Sequence, residues 1–219
     1  MIRGVIFDMD GVLLNSEPAT AIASVKAMRE FGLEVQPEDF YEFAGMGEEA
    51  YFGGVAEKYG GTYHEDMSKL TYKYYLEEGH KDILLFDQVP EILRTLHARG
   101  YRLGIASGAL PIKVNANIEF AGLPRDCFSA IATAADVSKQ KPDPEIFLLA
   151  ANRMGIPPEQ CIVCEDAVSG VTGALAGGMQ VLGITTTLQA TLLSELGAAW
   201  TSNHIGKLLE ILPDISKTI

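Results

Sequence analysis

The chain has 219 residues, of which 47% are hydrophobic and 21% charged, and its formal net charge is -12. This composition is typical of a globular protein with one sizeable core and room for a smaller second domain. An acidic chain repels nucleic-acid backbones and anionic lipid, and no apolar run approaches the ~20 residues that span a bilayer, so we expect neither nucleic acid nor a membrane as a partner.

The first predicted strand is Val5-Ile6-Phe7, an apolar run that fits a strand buried on both faces of a parallel sheet. Asp8 and Asp10 follow at its carboxyl end, where open α/β sheets bind ligands. Two neighbouring carboxylates repel each other unless a cation lies between them, and Mg²⁺ prefers such oxygen ligands. Taken alone, the pair also fits a turn cap beside a solvated acid, so it does not decide the function.

Helical patterns come next. Four segments are predicted, at 19–31, from Pro37 onward, at 48–59 and at 64–78. The run Gly45-Met46-Gly47 separates the second segment from the third. We therefore predict an all-helical domain at 16–82, inserted into a core domain made of residues 1–15 and 83–219.

Strands and helices alternate in the second part of the chain. The predicted strands lie at 102–106, 130–133, around Ile162 and Val163, at 181–184 and at Trp200-Thr201. The predicted helices start near Val89, include Val114 and Ile118, and cover 143–154 and 168–176. This alternation predicts an α/β fold with a parallel, doubly wound, Rossmann-like sheet.

The cysteines are Cys127, Cys161 and Cys164, an odd number without the spacing of a disulfide framework. Cys161 and Cys164 lie three apart in a predicted strand and point to opposite faces, so we expect buried, unreactive thiols. The chain starts with a core strand rather than a signal peptide, and we expect a cytoplasmic monomer.

Polar residues follow four of the predicted strands. They are Asp8 and Asp10, then Ser107-Gly108, then Lys141 in the run Lys-Pro-Asp-Pro, and last Glu165-Asp166. Each set alone has a simple explanation, such as a helix cap, a solvated lysine or an acidic turn. Because all four follow predicted parallel strands in this order, they favour a single site at one edge of the sheet.

This set resembles the four motifs of the haloacid dehalogenase superfamily, and the resemblance covers nearly the whole chain. It implies that Asp8 is a nucleophile that forms an aspartyl-phosphate, and that Asp10 is the general acid and then the general base. It also implies that Ser107 and Gly108 bind the phosphoryl group and that Lys141 neutralises charge on that group and on Asp8.

The same resemblance implies a Mg²⁺ cofactor. Asp8, the main-chain oxygen of Asp10, and Asp166 would bind the metal, with Glu165 alongside. A carboxylate approaches an anionic phosphate only when cations are present, which agrees with this set. The dehalogenase branch lacks the second aspartate, so Asp10 argues against that branch.

The inserted helical domain resembles the cap of subclass I, and the motifs are most similar to the β-phosphoglucomutase and sugar-phosphate phosphatase group. Three positions depart from the mutase. Thr20 replaces a histidine, Glu48 replaces an arginine that grips the second phosphate, and Gly108-Ala109-Leu110-Pro111 replaces a Lys-Asn pair after the serine.

We interpret the chain as a Mg²⁺-dependent phosphatase of a small phosphorylated metabolite, with sugar phosphates as the favoured class. A phosphohexomutase is the alternative. A non-catalytic binding protein of the same fold is a further alternative, which the intact motif residues disfavour.

Overall fold

The structure is a computed structural model that describes residues 1–43 and 48–216. Its strands are β1 (Gly4–Phe7), β2 (Leu14–Asn15), β3 (Leu84–Leu85), β4 (Arg102–Ala106), β5 (Phe128–Ala132), β6 (Cys161–Glu165), β7 (Gln180–Ile184) and β8 (Trp200–Ser202). Its α-helices are α1 (Glu17–Arg29), α2 (Glu48–Lys58), α3 (Glu65–Glu78), α4 (Val89–Ala98), α5 (Pro111–Phe120), α6 (Glu145–Met154), α7 (Val168–Ala176), α8 (Ala190–Glu195) and α9 (Leu208–Ile211).

Six of the strands form one sheet with the order β5-β4-β1-β6-β7-β8. All neighbouring pairs are parallel, and β1 lies between β4 and β6, with Ile6 opposite Gly104 and Val163. Val5, Ile6 and Phe7 are fully buried, as a strand covered on both faces requires. The predicted α/β fold with a doubly wound parallel sheet is confirmed.

The strand order places a topological switch point beside β1. The chain runs from β1 to β4 and β5 on one side of the sheet, and then returns to β6, β7 and β8 on the other side. Because the two connections leave in opposite directions, a crevice opens at the carboxyl ends of the strands next to β1. Asp8 directly follows β1, and Glu165 is the last residue of β6.

The chain divides into two compact units. The first contains Met1–Leu14, Leu85–Val114 and Gly122–Ile219, and the second contains Asn15–Leu84 and Asn115–Ala121. The second unit has its own apolar core, in which Val25, Met28 and Phe40 are buried. The domain interpretation itself, a core at 1–15 and 83–219 with an inserted domain at 16–82, stays a prediction.

Some predicted elements differ from the structure. The helical segment predicted from Pro37 onward is a 3-10 helix over Pro37–Phe43, and the Asp39 carboxylate accepts a hydrogen bond from the Gln36 N–H at its start. The first helix begins at Glu17, two residues before the predicted start at 19, since a proline such as Pro18 is tolerated within a first turn. The short elements β2, β3, α8 and α9 were not predicted, since each is too short to show a period.

The three cysteines are free and buried, as predicted. Burial raises the pKa of Cys161 to about 12 and also raises that of Cys164, which keeps both thiols protonated. Within residues 1–43 and 48–216, no helix is both long and apolar enough to cross a bilayer. The cytoplasmic location and the monomeric state stay predictions.

Candidate active site

The loop after β1 is tightly folded. The Asp8 N–H donates to Cys164 O at 3.0 Å and so extends the ladder to β6, while the Gly11 N–H donates to Leu14 O at 2.8 Å. Gly11 has a φ of 79°, which favours glycine, and a Cβ at this position would lie 2.0 Å from Oδ2 of Asp166. Gly11 is therefore required for the loop to pass close to the acid that follows β6.

The Lys141 ammonium is bound by three neighbouring strands. Its Nζ lies 2.6 Å from Asp8 Oδ1 at the end of β1, 2.7 Å from Glu165 Oε1 at the end of β6, and 3.1 Å from Ala106 O at the end of β4. A lysine ammonium has three protons, so these acceptors satisfy it completely. The side chain is only 12% exposed, and such burial requires this pairing.

Burial and the neighbouring charges act in opposite directions on this pair. Burial is the larger effect and raises the pKa of Asp8 to about 8, although Lys141 favours the ionised carboxylate and opposes this rise. Burial alone would lower the pKa of Lys141, but Asp8 and Glu165 raise it above its usual value. Because the two atoms are 2.6 Å apart, the geometry favours the ionised pair, and a metal cation beside Asp8 would favour it further.

Both oxygens of Glu165 are occupied by donors from the protein. Oε1 accepts from Lys141, and Oε2 accepts from the backbone N–H groups of Asp166 and Ala167 at 2.9 and 3.0 Å. The side chain is almost completely buried, and it lies where Gly170 of α7 has no side chain. Glu165 thus positions Lys141 and caps the backbone before α7.

Asp166 lies beside two threonines from the loop after β7. Thr187 donates a short hydrogen bond to Asp166 Oδ2, and the Thr186 hydroxyl lies 3.1 Å from the same oxygen. Burial raises the pKa of Asp166 to about 6, against the lowering effect of the Thr187 hydrogen bond. These threonines were not predicted from the sequence, although they directly follow a predicted strand in the manner of the four motifs.

Ser107 and Gly108 form the turn after β4. The Ser107 N–H donates to Ala132 O at 3.0 Å, and its hydroxyl accepts from the Ala109 N–H at 3.2 Å. Gly108 is exposed, and no heavy atom lies within 4 Å of the position that its Cβ would occupy. The turn thus places the buried Ser107 hydroxyl and the exposed Gly108 backbone at the same edge of the sheet as Asp8.

Asp10 has a cationic partner that was not predicted either. Lys113 Nζ lies 3.3 Å from Asp10 Oδ2, and the lysine side chain is 13% exposed. Lys113 is in the first turn of α5, where the helix dipole disfavours a positive charge. A lysine in the first turn of a predicted helix was the sequence signal for this pair, because a nearby carboxylate offsets the unfavourable helix dipole.

These residues fit a divalent cation. Asp8, Asp10, Glu165 and Asp166 bring four carboxylates to one edge, opposed by the ammonium groups of Lys113 and Lys141, so two negative charges remain when all are ionised. Among the residues that the structure describes, no three Asp, Glu, His or Cys side chains form a ready-made metal cluster. Mg²⁺ does not need one, since it binds through one or two carboxylates and retains water and phosphate ligands.

Comparison with known proteins agrees with this geometry. The family model described as "haloacid dehalogenase-like hydrolase" matches residues 2–178. The chain belongs to this family. The match includes all four motifs, from Asp8 and Asp10 to Glu165 and Asp166.

Two named relatives and one solved structure illustrate the similarity. The phosphoglycolate phosphatase of Salmonella typhi is 30% identical over 206 residues, which cover 84% of this chain and 81% of that protein. The chloroplastic protein SUPPRESSOR OF QUENCHING 1 of Arabidopsis thaliana is 36% identical over 211 residues, which cover 94% of this chain. The chain spans only 20% of the length of that second relative.

A crystal structure of a haloacid dehalogenase family hydrolase from Deinococcus radiodurans, with bound phosphate and sodium, is 27% identical. Its TM-score is 0.74, and the alignment covers 96% of this chain and 95% of that one. The matches confirm the predicted family and sugar-phosphate phosphatase group. They also confirm the predicted enzyme class, a phosphomonoester hydrolase.

The first prediction concerns the contact between Gly170 and Glu165. Gly170→Ala should destabilise the fold by about 1–3 kcal/mol, because the new Cβ would lie 1.8 Å from Glu165 Oε1. Urea unfolding followed by circular dichroism measures the change. Alanine is normally the better helix former, so the expected loss is opposite in sign to the intrinsic preference.

Gly108→Ala is the matched control for this substitution. At Gly108 no atom lies within 4 Å of the new Cβ, so the free energy of unfolding of this variant should lie within about 0.5 kcal/mol of the wild-type value. An unfolding free energy of Gly170→Ala equal to or above that of wild type would contradict the position given to the Glu165 carboxylate.

Proposed function

We propose that the chain is a Mg²⁺-dependent phosphatase that hydrolyses a small phosphorylated metabolite through an aspartyl-phosphate on Asp8. The observation that carries the proposal is the contact of Lys141 Nζ with Asp8 Oδ1 at 2.6 Å. An ammonium at this position keeps the carboxylate ionised and orients it, and it also offsets the charge of an incoming phosphoryl group.

In the first step, a carboxylate oxygen of Asp8 attacks phosphorus and the bond to the ester oxygen breaks. Asp10 gives its proton to the departing ester oxygen, which leaves as an alcohol. Ser107 and Gly108 form the turn that would hold the phosphoryl oxygens. Lys141 keeps the negative charge around phosphorus compensated while the bonds change.

In the second step, Asp10 takes a proton from water as the water oxygen attacks phosphorus. The bond between phosphorus and Asp8 then breaks, which releases inorganic phosphate and restores the carboxylate. Lys113 Nζ lies 3.3 Å from Asp10 Oδ2 and positions the Asp10 carboxyl group in the loop after β1. The Asp10 side chain can thus act as the acid in the first step and as the base in the second without changing its position.

A Mg²⁺ ion would be held by Asp8, the main-chain oxygen of Asp10, and Asp166. When bound, it would supply positive charge that offsets the negative charge of the phosphoryl oxygens, and it would orient the phosphoryl group for in-line attack. We propose Glu165 as the residue that positions Lys141 rather than as a metal ligand, because protein donors occupy both of its oxygens. This changes the expectation from the sequence, which placed Glu165 alongside the metal.

The residues at positions 20 and 48, where the chain departs from the mutase, favour a phosphatase over a phosphohexomutase. A mutase must hold a second phosphate, usually with arginine, whose planar group binds phosphate in two places. Thr20, which stands where the mutase has histidine, instead donates its hydroxyl to Ser16 O at 2.9 Å. Glu48 supports the same choice by its charge alone, because its side chain and the run Gly45-Met46-Gly47 lie outside the described residues.

The second prediction concerns the nucleophile. Asp8→Asn should lower kcat at least about a thousandfold, equal to ~4 kcal/mol in barrier, since a neutral amide does not form the phosphoenzyme. With phosphate-labelled substrate and an acid quench, wild type should retain label that hydroxylamine removes, and the variant should retain none. Asp126→Asn changes an exposed aspartate outside the site and is the control, so its kcat and its retained label should match those of wild type.

The third prediction concerns Asp10. Asp10→Asn should slow phosphoenzyme formation from an alkyl phosphate by about 10²–10⁴-fold, the usual contribution of a general acid. Phosphoenzyme formation from p-nitrophenyl phosphate should slow much less, because its leaving group departs without a proton. Rapid-quench measurement of both substrates tests this difference, and equal losses on the two would remove Asp10 from the acid role.

The fourth prediction concerns the acceptor of the phosphoryl group. A panel of sugar phosphates and phosphoglycolate, with Mg²⁺ or with EDTA, should give inorganic phosphate only in the presence of the metal. With labelled phosphoenzyme and β-glucose 1-phosphate, most label should appear as inorganic phosphate. Efficient formation of glucose 6-phosphate would establish the mutase instead, and full activity in excess EDTA would exclude the metal mechanism.

A further inference from the structure

The two threonines that follow β7 approach the same side of Asp166. Thr187 Oγ1 donates a short hydrogen bond to Oδ2, and Thr186 Oγ1 lies 3.1 Å from that oxygen. The backbone of Gly11 closes the same side, since a Cβ there would lie 2.0 Å from Oδ2 and 3.0 Å from Oδ1. The two carboxylate oxygens of Asp166 therefore have different surroundings.

The two hydroxyls have different tasks. Thr186 Oγ1 is 2.6 Å from Gly11 O, and a hydroxyl has a single proton, so its donated bond goes to this nearer carbonyl. Thr186 thereby fixes the loop that contains Asp10 and Gly11. Thr187 supplies the donated hydrogen bond to Asp166.

We infer that Thr186 and Thr187 restrict Asp166 to binding a metal through one oxygen and thereby select Mg²⁺ over Ca²⁺; the inference rests on the proposed function. A carboxylate whose Oδ2 is enclosed by a hydroxyl donor and a glycine backbone offers the cation its other oxygen. Ca²⁺ often takes both oxygens of a carboxylate and a larger shell, whereas Mg²⁺ requires a compact octahedron. Residues that orient a metal ligand commonly change metal affinity by about 10–100-fold when they are replaced.

The test measures metal binding directly rather than turnover. Isothermal titration calorimetry with Mg²⁺ alone, and separately with Ca²⁺ alone, gives the two Kd values for wild type and for Thr187→Val. Valine has nearly the shape of threonine but lacks the hydroxyl, and Thr187 is exposed, so the fold should be kept. The thermal midpoint without metal verifies this.

We expect Thr187→Val to raise the Kd for Mg²⁺ about tenfold and the Kd for Ca²⁺ much less, so that the preference shifts toward calcium. Thr187→Ser, which keeps the hydroxyl, should restore the wild-type preference. Thr186→Val should shift the preference in the same direction through the Gly11 loop. Thr185→Val is the matched control from the same run of threonines and should leave both Kd values unchanged.

The outcomes separate this inference from the proposed function. If wild type binds Mg²⁺ and Thr187→Val binds both ions with the wild-type preference, the inference is wrong and the proposed function stands. An equal loss of affinity for both ions would also overturn the inference, since it would indicate that Thr187 supports the loop without selecting between the metals. A wild-type protein that binds no Mg²⁺ would overturn both the inference and the metal mechanism.

Discussion

The site depends on one buried ammonium group with acceptors on three adjacent strands. Lys141 Nζ contacts Asp8 after β1, Ala106 O on β4 and Glu165 on β6, and these strands are neighbours in the sheet. Removing one partner of a buried ion pair typically costs about 3–5 kcal/mol, because the remaining charge is unpaired. The order of the central strands and the charge state of Asp8, the proposed nucleophile, are therefore linked through a single side chain.

Two glycines allow the acids to approach so closely. Without a side chain at Gly11, the loop after β1 reaches Asp166, and without one at Gly170, helix α7 leaves space for Glu165. The resulting side chains are mostly buried, so their charges interact through a medium of lower dielectric constant than water. Close packing thus strengthens the electrostatic interactions that the proposed phosphoryl transfer requires.

The sequence predicts the parts of this arrangement that are local. Apolar strands followed directly by Asp8, Ser107 or Glu165 can be recognised because a strand and its end are adjacent in the chain. It does not predict which strands are neighbours, so the contacts of Lys141 with Ala106 and Glu165, and that of Thr187 with Asp166, were not accessible. The pairing of Lys141 with Asp8 was expected from the family resemblance alone. Nor does it reveal the pair of Lys113 and Asp10, which joins residues 103 positions apart.

Four carboxylates at one edge can act differently because their surroundings differ. Asp8 faces Lys141, Glu165 is occupied by Lys141 and two backbone N–H groups, Asp10 contacts Lys113, and Asp166 accepts from Thr187. Lys141 favours the ionised form of Asp8, and saturated hydrogen bonds hold Glu165 in place. The Thr187 hydrogen bond favours the ionised form of Asp166, the proposed metal ligand. Chemically similar groups thus acquire separate roles through their donors, which come from helix α5, the loop before α6, the turn before α7 and the loop after β7.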